Sequence, residues 1–420
     1  MNIPELYKLF LKNPVICTDS RSIIPDSIFF SLKGENFNGN KFAKQALDKG
    51  SRYAIVDEKE HYTQGCILVK DVKEILQKLA TYHREHLSIP IIGITGTNGK
   101  TTNKELINCV LSTQYNCYAT KGNLNNQIGV PLSILEINNT HEIAIVEMGA
   151  SEIGEIEKLS NIAQPNTGII TNVGLAHLEG FKSFEGVIQT KTELYNFIEK
   201  TNGTVFVNSE DKILLEKSDK INRVLFGKDK TADFNAKVTK EFPFVSVEID
   251  KTLINSNLIG EFQFYNILAA CTIGNFYGIN TENLKTSIES YVPKNNRTEI
   301  VETENNYIIL DAYNANPSSM NSMIESFSKL DRKRKICFLG EMRELGEYSN
   351  QEHISLIDKI TKLDIESIFI GEEFTNISNI NTYKNISEFI EEKEKFTLKN
   401  RTILIKGSRG IKLENLIDYL

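Results

Sequence analysis

The chain has 420 residues, enough for two or three domains. Hydrophobic residues make up 40% and charged residues 25%, which excludes a mostly disordered protein. Lys and Arg total 48 against 55 Asp and Glu, a net charge of -7, which excludes nucleic-acid binding through a global basic field. No apolar run reaches the roughly 18 residues of a membrane span. The opening MNIPELYKLFLKNP lacks the basic start and apolar stretch of a signal peptide, so a cytoplasmic location is expected. Six cysteines (17, 66, 109, 117, 271 and 337) are scattered without a CxxC pair, and buried free thiols are expected rather than a disulfide framework or a zinc site.

Along the chain, short apolar runs alternate with amphipathic stretches, the pattern of α/β layers. The first segment offers strand-like PVICTD, SIFFSL, YAIVD and CILVK, with KFAKQALDK among them and a helix over VKEILQKLATYHREHL. Ser88 to Pro90 marks a boundary, because proline disfavours helix in the residue before it. The second segment carries IIGITG, IAIVEM and GIITNV as buried strands, then VFVN, RVLF and FVSVEI, and a helix from about Phe264 to Tyr277. The segment YVPKNN (291–296) reads as a second linker. Beyond it YIILDAY, KICFLGE, SIFIGE and TILIKGS alternate with helical stretches, as in a small doubly wound domain. Three α/β domains are expected, at 1–88, 89–293 and 294–420.

The strongest motif is GTNGKTT, comprising Gly96, Thr97, Asn98, Gly99, Lys100, Thr101 and Thr102. It follows a buried strand and precedes a helical stretch, so its backbone N–H groups and the helix start can hold phosphate oxygens. Lys100 would reach the β/γ-phosphates and the Thr101 hydroxyl would hold Mg²⁺. The general phosphate-loop pattern places a glycine at position 94, where this chain has Ile94, so the loop is a shorter variant. Glu147 ends one apolar strand and His177 follows the next; a parallel sheet brings both to the edge that carries the loop. A carboxylate and an imidazole beside a nucleotide suit a metal. Lys191 falls inside a helical stripe of Phe184, Val187, Ile188, Leu194, Tyr195 and Ile198. There it snorkels to solvent, is paired or is chemically changed, because an unpaired buried cation is costly.

Two loops suit a large anionic ligand: TDSRS, with Ser20 and Arg21, and KGNLNNQIGVP, with Asn123, Asn125 and Asn126. In the last segment Arg297, Asp311, Asn314, Asn316, Lys406, Ser408 and Arg409 gather at strand ends, and that grouping suggests a site.

The ordered set TDSR, GTNGKTT, GNLNN, EMGAS, TNVGLAHLEGF, QTKTELY, YNANP, LGEM-ELG and KGSRG resembles the Mur ligase family, ATP-dependent amide-forming enzymes of peptidoglycan precursor synthesis. The resemblance spans essentially the whole chain. It implies a small UDP-binding α/β domain, a central P-loop ATPase-type domain and a C-terminal Rossmann-like domain. YNANPSSM, LGEMRELG and KGSRG imply the branch that adds D-alanyl-D-alanine to UDP-N-acetylmuramoyl-tripeptide; the DNPR of the diaminopimelate-adding relative is not found. The resemblance further implies ATP on residues 96–102, Mg²⁺ on Thr101 and Glu147, and a second Mg²⁺ on His177. It implies a carbamate on Lys191, adenine read by Asn266, and nucleotide contacts from Arg297 and Asp311. Uridine nucleotide would lie at Ser20 and Arg21, and the dipeptide at loops that include Asn314 and Asn316. A monomer is expected. One departure is GEFQFYN, with Phe262 and Gln263 where the family carries His and Asn. A sister amide ligase with another acceptor is the enzyme alternative. A nucleotide-gated switch is the alternative of another class, and it would need neither Lys191 nor His177.

Overall fold

A computed structural model of the chain describes residues 1–377 and 381–420. Three parallel or mostly parallel sheets follow one another along the sequence, each flanked by helices. The strands foreseen from apolar runs are present in all three.

The first sheet has four parallel strands in the order Ile16–Cys17, Ile28–Phe30, Tyr53–Val56, Cys66–Leu68. A helix that the sequence reading did not pick out, Ile3–Lys12, precedes it. Its signals are local: Asn2 and Glu5 form a capping box, Pro4 sits in the first turn, and Leu6, Tyr7 and Phe10 fall on one buried face. The helix expected over 72–87 ends at Arg84, where the chain turns so that Arg84 Nη1 donates to the Leu87 carbonyl at 2.9 Å. These two helices do not close a separate core. Leu6, Phe10, Leu76 and Leu79 share one apolar cluster with Val130, Ile134, Val146 and Leu159 of the second segment.

The second sheet has seven parallel strands. Its spatial order is Phe234–Asn235, Asn222–Gly227, Thr204–Asn208, Thr167–Ile170, Ile91–Thr95, Ile143–Glu147, Cys117–Ala119. The innermost strands read as continuous apolar runs because helices cover both faces. FVSVEI is indeed a strand, Phe244–Ile249. It is the middle of an antiparallel three-stranded sheet with Lys237–Lys240 and Thr252–Ile259, whose alternating polar residues hid them from the reading. Helix Gln263–Phe276 packs on helix Lys100–Leu111, and Ile267, Ile273, Leu106 and Val110 belong to one apolar cluster.

The third sheet runs Glu299–Glu302, Tyr307–Asp311, Thr402–Lys406, Lys335–Gly340, Glu366–Ile370, Thr382–Tyr383, parallel except for its first strand. All six cysteines are free thiols. No helix among the described residues is long and apolar enough to cross a membrane.

Candidate active site

The carboxyl ends of the second and third sheets face one cleft of about 930 Å³. Open α/β sheets bind ligands at such edges. Strand Ile91–Thr95 runs into the 96–99 loop, and helix Lys100–Leu111 starts directly after it. Gly96 has φ +142, and a Cβ there would meet Thr171 Oγ1 at 2.0 Å, so only glycine lets the loop lie against the neighbouring strand end. Gly99, at φ +77, is pinned the same way: a Cβ would come within 2.9 Å of Asn266 Oδ1.

TNVG, after strand Thr167–Ile170, builds the other wall of the loop. Thr171 Oγ1 donates to the Asn98 carbonyl at 2.6 Å and Asn172 Nδ2 donates to the same oxygen at 3.0 Å. The Asn98 N–H donates to Asn172 Oδ1 at 3.0 Å. Lys100 Nζ folds over the loop, donating to the carbonyls of Gly96 at 2.7 Å and Thr97 at 3.0 Å. Burial pulls its ammonium pKa down; Glu147 opposes that and Arg297 adds to it.

Glu147 is 2% exposed and both its oxygens are engaged. Thr101 Oγ1 donates to Oε2 at 3.0 Å, and Asn125 Nδ2 donates to Oε1 at 2.8 Å. The buried Lys104 ammonium lies 3.9 Å from Oε2. A hydroxyl and a carboxylate held 3.0 Å apart beside a phosphate-type loop form the hard-oxygen donor set that suits Mg²⁺. His177 also lines the cleft, in a left-handed conformation at φ +50, with Nδ1 2.5 Å from Glu344 Oε2 of the third segment. That contact holds the Glu344 carboxyl below its ordinary pKa.

Asn266 is buried on the first turn of its helix. It accepts from Asn103 Nδ2 and donates to Gln263 Oε1, both at 2.7 Å. Phe262 and Gln263, the residues that depart from the family pattern, line the cleft beside it. From the third segment come Arg297, stacked 3.7 Å over Tyr313, and Asp311, whose Oδ2 lies 2.5 Å from the buried Lys406 Nζ. Asn314 lines the cleft too; its Oδ1 accepts from the Ala315 N–H at 2.9 Å.

The cleft therefore gathers Thr97 to Thr102, Asn123, Asn125, Asn126, Glu147, His177, Asn266, Arg297, Asp311, Asn314 and Lys406. Other candidates stand apart from its walls. Lys191 is 2% exposed inside helix Phe184–Lys200, so it does not snorkel. Its ammonium lies 5.1 Å from the Phe181 ring centre, and burial, helped by the Lys100 charge, lowers its pKa to about 7. Ser20 and Arg21 lie on the first segment: Ser20 is buried, and Arg21 is 88% exposed and paired with Asp19. Ser408 Oγ accepts the Arg343 N–H at 3.2 Å, and the Arg409 guanidinium sits 5.3 Å from the Tyr313 ring. Asn316 caps helix Pro317–Ser328. Sequence reasoning missed Asn172, Ser318 and Glu344, although each sits in a motif already singled out. It also missed Lys33 and Lys73, cleft residues from the first segment that no motif marks.

Comparison with known proteins agrees along the whole chain. Residues 15–97 match the Mur ligase family, catalytic domain; residues 94–274 the Mur ligase middle domain; and residues 296–409 the Mur ligase, glutamate ligase domain. UDP-N-acetylmuramoyl-tripeptide–D-alanyl-D-alanine ligase of Bacillus subtilis is 31% identical, over 100% of this chain and 97% of that one. The solved structure of MurF from Acinetobacter baumannii matches at TM-score 0.88 and 28% identity, covering 96% of this chain and 92% of that one. MurF ligase from Thermotoga maritima in complex with ADP matches at TM-score 0.86 and 27% identity, covering 97% of each chain. The chain belongs to the Mur ligase family.

Proposed function

We propose that the chain is an ATP-dependent ligase that joins D-alanyl-D-alanine to UDP-N-acetylmuramoyl-tripeptide in cytoplasmic peptidoglycan precursor synthesis. One observation carries the reading. A phosphate-type loop with its lysine, a Thr101–Glu147 oxygen pair and the third-segment residues Arg297, Asp311 and Lys406 face one another across a single cleft. The curated relatives that match along the full length carry this activity in their names.

The terminal carboxylate of the tripeptide takes the γ-phosphoryl group and ADP leaves, giving an acyl phosphate. The dipeptide amine attacks the acyl carbon, phosphate leaves and the amine loses its proton. Such chemistry asks for charge neutralisation and alignment more than a protein nucleophile. Lys100 swings from the Gly96 and Thr97 carbonyls onto the β/γ-phosphates. Thr101 and Glu147 would hold one Mg²⁺ and His177 a second, and such a metal would supply positive charge against the phosphates. Asn266 reads adenine, Arg297 and Asp311 close on the nucleotide, and Ser20 and Arg21 take the uridine nucleotide. Asn123, Asn125 and Asn126 serve the muramyl substrate. Asn314, Asn316, Lys406, Ser408 and Arg409 serve the dipeptide side. Lys191 is the site of a carbamate. A buried lysine with a lowered pKa supplies the neutral amine that reacts with CO₂, and the product exchanges a costly cation for an anion that can pair with metal.

Residues 1–88 hold the UDP-muramyl end, 89–293 ATP, and 294–420 the incoming dipeptide. Each of these groups comes from one chain, so a monomer suffices. Phosphate release, measured with UDP-muramyl peptides crossed with D-Ala, D-Ala-D-Ala and L-amino acids, tests the assignment. Release is expected only with the tripeptide and the dipeptide together. Efficient turnover of a single amino acid would move the chain to a sister ligase, and turnover without either substrate would make it a nucleotide switch.

A further inference from the structure

The tip of the phosphate loop is tied to the third segment through side chains alone. Asn98 Nδ2 donates to Ser318 Oγ at 2.7 Å, Ser318 Oγ donates to Asn316 Oδ1 at 2.9 Å, and Asn316 Nδ2 donates to Asn98 Oδ1 at 2.8 Å. The three bonds close a ring in which every donor faces an acceptor. The amide orientations follow from one independent constraint. Asn316 is the N-cap of helix Pro317–Ser328, and its Oδ1 must accept the Ser319 N–H at 2.9 Å. That turns its Nδ2 toward Asn98 Oδ1, which leaves Asn98 Nδ2 to face Ser318. The backbone of Asn98 belongs to the second sheet, through Thr171 and Asn172, while its side chain belongs to the third segment. Gly174 completes the fit: a Cβ there would stand 3.1 Å from Ser318 Oγ.

We propose that Asn98, Ser318 and Asn316 form a latch that fastens the third segment to the tip of the phosphate loop, so that the two halves of the cleft are aligned only when the ring is closed. This rests on the ligase reading and deepens it. Asn98 and Ser318 are then positioning residues, not phosphate ligands. Asn316, already engaged by its own helix and by Asn98, acts on the dipeptide side through the latch. Nucleotide can enter the open enzyme and bind the loop, but transfer waits for the ring to form. The cost of losing the latch therefore falls on kcat and not on nucleotide affinity.

Ser318→Ala removes two of the three ring bonds and leaves the Asn316 cap intact. Two neutral hydrogen bonds correspond to a fall in kcat of about tenfold. Binding of a fluorescent ATP analogue to the enzyme without its other substrates should stay within twofold of the parent. In kcat, Asn98→Ala should match Ser318→Ala, and the double variant should be no worse than either single one, because all three break the same ring. Small-angle scattering with a non-hydrolysable ATP analogue and muramyl substrate should show a larger radius of gyration for the variants at saturating ligand. Additive losses, an unchanged kcat, or a fall in binary nucleotide affinity as large as the fall in kcat would each overturn the latch. Scattering and nucleotide binding read the latch without turnover. If the parent protein failed to turn over the proposed substrates, only the ligase reading would fall.

Discussion

Lys191 and Phe181 lie face to ring in the interior, ammonium to ring centre 5.1 Å, with the lysine held on one helix and the phenylalanine on the short helix before it. Burial, with Lys100 as a second cation nearby, lowers the Lys191 pKa to about 7. Between about pH 7 and the ordinary lysine value near 10.4 the folded chain therefore binds fewer protons at this site than the unfolded chain. The unfavourable contribution is full below pH 7 and fades as pH rises through that window. In CO₂-free buffer, Lys191→Met should thus raise Tm more at pH 6 than at pH 9, by calorimetry. At fixed dissolved CO₂, a carbamate carbon signal in ¹³C NMR should grow as pH passes about 7, because only the neutral amine reacts. Lys191→Ala should lose most of kcat, with partial rescue by acetate. No carbamate signal together with a near-normal Lys191→Ala would leave this lysine a buried structural cation.

Glu147 is set by its partners before any metal arrives. Asn125 fixes Oε1, and the Thr101 hydroxyl turns toward Oε2. Glu147→Gln removes the charge of the proposed metal ligand, and Asn125→Ala only frees the carboxylate to rotate. Asn125→Ala should weaken Mg²⁺ about ten- to a hundredfold, the range for residues that orient a metal ligand, and Glu147→Gln should weaken it at least as much. Mn²⁺ binding followed by electron paramagnetic resonance reads this without turnover. Equal Mn²⁺ affinity in parent and Glu147→Gln would place the metal elsewhere.

Much of this site is written locally in the sequence. The strand–glycine–lysine–helix order around 91–111 needs only neighbouring residues, and so does the burial of strand Ile143–Glu147. What escaped reading was set by contact across long separations. Asn98 meets Ser318 from 220 positions away, and His177 meets Glu344 from another sheet. Lys33, in a short two-stranded ribbon, and Lys73, on helix Val72–Arg84, line the cleft from the first segment, a placement set by tertiary packing and not by local sequence. Helix Ile3–Lys12 is the opposite case. Its capping box is local, written in Asn2 and Glu5, and needs no distant contact to be read.

Lys100 bonds to its own loop at Gly96 and Thr97, so it is held at the mouth where phosphate would sit. Its departure from those carbonyls toward phosphate charge should matter most as the γ-phosphoryl group transfers. Lys100→Ala is expected to lower kcat at least about 10²-fold, on the scale of losing one donor to a developing charge. Circular dichroism should show the fold intact, because no core side chain is removed. An active Lys100→Ala enzyme would mean that the loop does not serve the reacting phosphate.

Arg84 is the rivet between the first and second segments. Its guanidinium is buried and donates to the carbonyls of Ala163 at 3.0 Å, Gln164 at 3.0 Å and Leu87 at 2.9 Å, and to Asn166 Oδ1 at 3.0 Å. Asn166 Oδ1 in turn accepts the Ile91 N–H at 2.8 Å, at the start of the strand that carries the phosphate loop. Arg84→Ala would strand several buried acceptors at once, each costing about 1–3 kcal/mol when left unpaired. Water entering the gap can satisfy some of them, so a loss of about 3 kcal/mol is expected, read as a lowered midpoint in urea. Arg84→Lys should recover little, because one ammonium cannot span carbonyls that a planar fork reaches together. Arg84 stands on the far side of the sheet from the cleft, at the amino ends of its strands, so activity at low temperature should survive the substitution. A midpoint unchanged in Arg84→Ala would show that the shared apolar cluster alone holds the two segments together.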